Sequence, residues 1–199
     1  MPKPALANRT KTRTLMLFWH LLAGAFASLS LPPLFLLPAI FALSIPILAY
    51  LKAENRMQAS MVFFAAGTGW FLASTYWVSH SLIVDSPSLW VLAPFLALAL
   101  ALILAVFWAS AAMVSWSCGR RPVARLFWFV AFFSLGEWAR GFVATGFPWN
   151  LTGSLFAVDL ASLQVASVIG AYGLCVIRYF LHWSQHSGFW GIGVLPRYF

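Results

Sequence analysis

The chain has 199 residues, of which 62% are hydrophobic and only 8% charged, and its mean hydropathy is +0.87. A soluble domain carries roughly a quarter charged residues, so this chain could not cover a water-facing surface; a bilayer removes the need. The net charge of +8 is spread between apolar runs rather than gathered on one face, which speaks against nucleic-acid binding and for basic loops sorted to the cytoplasm.

Lys3, Arg9, Lys11 and Arg13 precede an apolar run from Leu15 to about Leu31. The pattern imitates a signal peptide, but further spans follow and the flanking charge keeps alternating, so an uncleaved first span is expected. A second run covers about Pro33–Leu51, where Pro38 and Pro46 predict a kinked helix. Lys52 and Arg56 follow. The third run, about Ala59–Val84, ends at the polar turn Asp85-Ser86-Pro87-Ser88, and the fourth extends from about Leu89 to Ser117. Arg120, Arg121 and Arg125 come next. The fifth run, about Val123–Trp138, leads into the segment 140–159, and the sixth covers about Leu160–Ile177, closed by Arg178.

The expected fold is therefore all-α: a polytopic membrane protein of about six spans, each near 20 residues. A basic cytoplasmic N-terminus occupies 1–14, a transmembrane domain 15–177, and an atypical tail 178–199. Lys52/Arg56, Arg120/Arg121/Arg125 and Arg178 then share the cytoplasmic side with the N-terminus. Arg140 breaks the pattern by falling on the outer side.

Trp19, Trp90, Trp116 and Trp190 read as interfacial anchors. Cys118 and Cys175 lack a CxxC pair or a Cys/His cluster and read as small buried hydrophobes. His182 and His186 have i,i+4 spacing without an acidic neighbour, which argues against a metal. No cofactor is expected. His80 should hydrogen-bond locally, and Ser74 and Thr75 should bond between helices.

The informative stretch is Gly136-Glu137-Trp138-Ala139-Arg140-Gly141 followed by Thr145-Gly146-Phe147-Pro148-Trp149. Glu137 and Arg140 are three apart, so on a helix they share a face and can pair. Gly141, Gly146 and Pro148 then predict a non-helical outer-face loop between the fifth and sixth spans. Such backbone survives at membrane depth only when buried in protein or lining a wet cavity. Phe147 and Trp149 would wall that cavity. Arg140, oriented by Glu137, would keep donors free to grip a phosphate. Residues alone thus predict a lipid-headgroup site, with a helix-ending salt bridge plus interfacial aromatics as the plainer alternative.

Glu-x-x-Arg-Gly followed by Thr-Gly-Phe-Pro-Trp resembles the signature of apolipoprotein N-acyltransferases, here Glu137, Arg140, Gly141, Thr145, Gly146, Phe147, Pro148 and Trp149. Gly67-Thr68-Gly69-Trp70 with Ser74-Thr75-Tyr76-Trp77-Val78, and Ile169-Gly170-Ala171-Tyr172-Gly173, are weaker matches. The resemblance implies a bacterial inner-membrane enzyme of lipoprotein biosynthesis with a periplasmic nitrilase-like domain carrying a Glu-Lys-Cys triad. Its cysteine would take an acyl chain from a phospholipid and pass it to the N-terminal amine of a diacylglyceryl apolipoprotein. The lipid-binding residues carried over are Glu137, Arg140, Thr145, Gly146, Phe147, Pro148 and Trp149; no catalytic residue is. Neither Cys118 nor Cys175 has a matching Glu and Lys, so the chain is expected to be a truncated membrane part, inactive alone. A frameshift or early stop near Arg178 is the expected origin of the tail. A non-catalytic lipid-binding or assembly protein, or a transporter subunit, are the competing readings; the spans hold almost no ionisable residues beyond Glu137 and Arg140, which disfavours transport.

Overall fold

The computed structural model describes residues 4–143 and 146–186, and every regular element among them is helical. The α-helices are α1 (Pro4–Ala27), α2 (Ser44–Leu51), α3 (Arg56–Thr75), α4 (Ser79–Asp85), α5 (Ala93–Cys118), α6 (Pro122–Ala139), α7 (Leu160–Gln164) and α8 (Ala166–His186). Short 3-10 turns at Leu37–Leu43, Tyr76–Val78, Pro87–Leu92 and Thr152–Val158 join several of them.

The local chemistry explains the starts and breaks. Asn55 caps α3 by accepting from the Gln58 backbone N–H at 2.9 Å, while Gln58 Oε1 accepts from the Glu54 N–H at 3.0 Å. The first bond satisfies an amide that the first turn would leave bare, and the second ties the residue before the cap back to the helix. Proline opens α6 after an extended Arg121, where its missing N–H costs nothing. The kink expected from Pro38 and Pro46 takes the form of a change of helix type, 3-10 before Ser44 and α after it.

The third run does not continue as one helix to Val84. α3 stops at Thr75, whose Oγ1 bonds back to the Phe71 carbonyl at 2.7 Å. Its 20 residues rise about 30 Å, enough to cross a hydrocarbon core. The chain then turns into Tyr76–Val78 and the short α4. By length and composition, Arg56–Ser81 and Pro87–Cys118 are long and apolar enough to cross a membrane, whereas Leu37–Leu51 and Ala166–Tyr179 are shorter apolar helices.

α3 packs between α1 and α5; α5 packs on α6, and α6 on α8. The crossing of α1 with α3 is made close by two small residues. A Cβ at Gly69 would collide with the backbone carbonyl of Leu21, and one at Gly24 with the carbonyl of Ala66. Small residues are what let helix backbones approach where lipid offers no hydrophobic drive. On the other side of α3, Phe63 meets Phe129 of α6 at 4.7 Å between ring centroids. Trp108 of α5 meets Phe133 at 4.9 Å, and Phe133 meets Tyr179 of α8 at 4.7 Å. This aromatic core couples four helices beneath the segment that follows α6.

Several readings of single residues are corrected. Cys118 is exposed, at the end of α5, while Cys175 is buried as expected. Trp19 and Trp90 are exposed, but Trp116 donates to the Ala53 carbonyl at 3.2 Å and lies under the Arg125 guanidinium at 4.5 Å. It is a packing residue because the short turn into α6 brings Arg125 over it. Thr75 bonds within its own helix rather than between helices. Arg178 does not end a helix: α8 runs on to His186, and Arg178 is buried over the Tyr179 ring at 4.8 Å. His80 is exposed beside the Tyr76 ring, and Trp190 lies outside the described residues.

Candidate functional site

Glu137 and Arg140 pair as their spacing predicts, with Arg140 Nε 3.3 Å from Glu137 Oε1 and Nη2 3.3 Å from Oε2. Both are buried, each with 1% of its surface exposed. An ion pair in such a place needs further hydrogen bonds to offset its desolvation, and it has them. Glu137 Oε1 accepts from Trp108 Nε1 of α5 at 3.2 Å, and Oε2 accepts from the Thr152 backbone N–H at 3.1 Å. Arg140 Nη1 donates to the carbonyls of Phe147 at 2.7 Å and Trp149 at 2.8 Å. The guanidinium also lies 5.1 Å from the centre of the Phe71 ring of α3.

This geometry corrects the expected role of Arg140. Four of its five N–H bonds are spent on Glu137 and on two backbone carbonyls, so the guanidinium is not held out toward a phosphate. Its donors are consumed because 146–149 is not helical and its carbonyls have no helical partners of their own. Arg140 is thus the group that shapes the segment.

The backbone of that segment follows from its residues. Gly146 has φ of 79°, where a side chain would be strained, and a Cβ there would strike the Gly141 carbonyl. The Phe147 N–H returns to the Arg140 carbonyl at 2.7 Å. Asn150, at φ 54°, donates through Nδ2 to the Ser74 carbonyl at 2.7 Å, tying the segment to the end of α3. Trp149 ends 58% exposed, with its ring edge-to-face against Trp77 at 6.1 Å. Pro148 is exposed and Phe147 half-buried against the core. The segment therefore separates into a buried polar anchor, Glu137 and Arg140, and an exposed apolar tip, Pro148 and Trp149. Thr145 lies outside the described residues.

Sequence reasoning missed the residues that complete the anchor: Trp108, Thr152, Asn150, Cys175 and Tyr179. Cys175 Sγ is 4.0 Å from Glu137 Oε2, and Thr152 Oγ1 bonds Tyr179 OH at 2.6 Å. Trp108 carried a signal: it sits inside a long apolar run rather than at its end, where an interfacial anchor belongs. Tyr172, from the third sequence match, places its hydroxyl against Gly141, where a Cβ would collide with it.

Residues 23–184 match the family described as apolipoprotein N-acyltransferase N-terminal domain. The chain belongs to this family. An apolipoprotein N-acyltransferase of Caulobacter vibrioides is 35% identical over 157 residues, covering 77% of this chain and 30% of that protein. One from Rickettsia bellii is 32% identical over 169 residues, covering 85% and 34%. One from Rhizobium etli is 38% identical over 175 residues, covering 80% and 32%. The chain spans about a third of the length of the curated relatives it matches. The Glu137–Trp149 stretch falls inside the matched region.

Proposed function

We propose that this chain is the membrane part of an enzyme that transfers an acyl chain from a phospholipid to the N-terminal amine of a diacylglyceryl-cysteine on an apolipoprotein. In this reading the 145–149 segment borders the donor lipid. Phe147, Pro148 and Trp149 supply the apolar wall, Glu137, Arg140 and Gly146 set its shape, and Thr145 belongs to the same lipid-binding stretch by the family resemblance. Acyl transfer itself is assigned, by the family resemblance, to a nitrilase-like Glu-Lys-Cys domain, and none of the described residues is placed in that triad. Cys175 is buried beside a carboxylate, and the lysines of the chain, Lys3, Lys11 and Lys52, lie far from it in sequence. The chain contributes lipid binding and positioning.

The proposed setting is the bacterial inner membrane, crossed about six times, by α1, Leu37–Leu51, α3, α5, α6 and α8. The N-terminus faces the cytoplasm with Lys52/Arg56 and Arg120/Arg121/Arg125. The burial of Arg140 removes the one objection to this orientation. Charge sorting acts on exposed loop cations, and Arg140 is neutralised inside the protein.

The observation that carries the reading is an exposed Trp149 held on a buried ion-pair anchor, in a chain whose relatives are N-acyltransferases. The test is a chimera in which residues 23–184 replace the matched segment of the Caulobacter vibrioides relative. A folded chimera should acylate a diacylglyceryl peptide from phospholipid. A folded, membrane-inserted chimera that binds phospholipid but transfers nothing would instead favour a non-catalytic lipid-binding protein.

A further inference from the structure

Trp77 and Trp149 meet beside the end of α3, edge-to-face, with ring centroids 6.1 Å apart and planes at 83°. Neither ring belongs to the core: Trp77 is 47% exposed and Trp149 58%. They come from stretches far apart in sequence, yet one backbone atom serves both. The Ser74 carbonyl accepts from Trp77 Nε1 at 3.0 Å and from Asn150 Nδ2 at 2.7 Å. It is free to do so because α3 stops at Thr75, and the last carbonyls of a helix have no N–H partner in a following turn. Asn150, the neighbour of Trp149, is held a second time. Its own carbonyl accepts at 3.4 Å from Nε1 of the buried Trp70, one turn back on α3.

We propose that Trp77 is a positioning residue for Trp149, fixing the direction in which the Trp149 ring faces substrate. The proposal rests on the reading of 145–149 as a segment that borders the donor lipid. Two groups divide the work. Arg140 fixes the Trp149 carbonyl from the buried side, and Trp77 fixes the ring from the exposed side. Carbonyl bonds alone leave the indole free to turn about its own side-chain torsions, and an exposed ring that turns freely must lose that freedom when a ligand meets it. The edge-to-face contact is a favoured geometry for two aromatic rings, so it sets the orientation beforehand. Trp77 is itself set in place by its bond to Ser74, the same carbonyl that places Asn150 and hence the backbone beside Trp149. An indole that only anchors a helix at the membrane interface needs no such partner. The exposed Trp90 fits that simpler role and serves as the control.

The first arm of the test needs no activity. The whole chain is labelled with fluorotryptophan in phospholipid nanodiscs, and the Trp149 line in the fluorine NMR spectrum is assigned by its loss in Trp149→Phe. Trp77→Ala should move that line and narrow it, because the neighbouring ring no longer shields it and the freed side chain turns faster. Trp77→Leu keeps apolar volume without a ring and gives the same readout if Trp77→Ala fails to fold. Trp90→Ala should leave the line in place. A Trp149 line that neither Trp77 variant moves overturns the proposal. The second arm assays acyl transfer by the chimera carrying residues 23–184. Trp77→Ala should raise KM for phospholipid roughly three- to tenfold at unchanged kcat, the range set by loss of one aromatic pair, and Trp77→Phe should restore most of it. In a Trp149→Ala background the same change should add nothing further. A parental KM in Trp77→Ala, with a raised KM in Trp149→Ala, overturns the proposal and leaves the reading of the segment standing. A parental KM in both variants overturns the two together.

Discussion

Arg140 and Trp149 meet through the backbone: Nη1 of Arg140 donates to the Trp149 carbonyl at 2.8 Å, while the Trp149 ring points away and remains 58% exposed. The same nitrogen holds the Phe147 carbonyl at 2.7 Å. One cation thus fixes the carbonyls at both ends of the Phe-Pro-Trp stretch. Proline between them offers no N–H for an internal bond, so an outside donor is needed.

Removing that donor should cost stability first. Arg140→Ala leaves Glu137 buried without its counter-charge and frees two carbonyls. Breaking one side of a buried pair typically costs about 3–5 kcal/mol, and a loss of that size is expected in mixed-micelle unfolding. Arg140→Lys should recover only part of it, because an ammonium cannot fork between a carboxylate and two carbonyls. A wild-type midpoint for Arg140→Ala would show that the pair is not buried as described.

The two kinds of glycine should separate in the same assay. Gly69→Ala must push α1 off α3, since the obstacle is backbone rather than a movable side chain. An overpacking cost of about 1–3 kcal/mol is expected. Gly136→Ala meets only ordinary contacts and should be neutral or gain up to about 1 kcal/mol of helix propensity. Equal effects at both positions would refute the distinction between the close α1–α3 crossing and the looser packing at Gly136.

The short helix α7 should fray in acid. Asp159 caps it, accepting from the Ser162 N–H at 2.8 Å and the Ser162 hydroxyl at 2.7 Å. These bonds, the backbone one first, hold its carboxyl below the ordinary carboxylate value. A depressed acid contributes stability that is fully present above its unfolded value, about pH 4, and lost as pH falls through the folded value. Protection of the Ser162–Gln164 amides from hydrogen exchange, taken relative to the unstructured rate at each pH, should therefore fall below about pH 4. Asp159→Asn keeps a cap without a titrating group and should remove that pH dependence. Protection that stays constant with pH in the parent chain would show that the cap does not hold α7.

The helical class and the Glu137–Arg140 pair were legible in the sequence because each depends on local spacing: apolar runs for the helices, i,i+3 for the pair. The loop after Arg140 was legible too, since Gly146 and Pro148 disfavour helix by their own chemistry. What sequence could not supply is where Arg140 points. Its partners are carbonyls of Phe147 and Trp149, and backbone acceptors leave no trace in side-chain identity. The break at Thr75 was hidden for a similar reason, because Tyr76 to Val84 stays as apolar as the helix before it. Trp108 and Thr152 reach Glu137 from 29 and 15 residues away, and no local pattern marks such contacts.

The central claim is that a buried anchor presents the Trp149 ring to lipid substrate. Its most direct test is the rate of acyl transfer to a diacylglyceryl peptide by the chimera carrying residues 23–184, with Trp149→Ala compared with the parent chimera at equal stability. Trp149 is largely exposed, so its truncation should leave unfolding within about 0.5 kcal/mol of the parent. Acyl transfer should fall at least about tenfold, as expected when a large aromatic contact to substrate is lost, and Trp149→Phe should restore most of it. A Trp149→Ala chimera that transfers acyl chains at the parental rate would contradict the account and reduce the segment to a structural helix end.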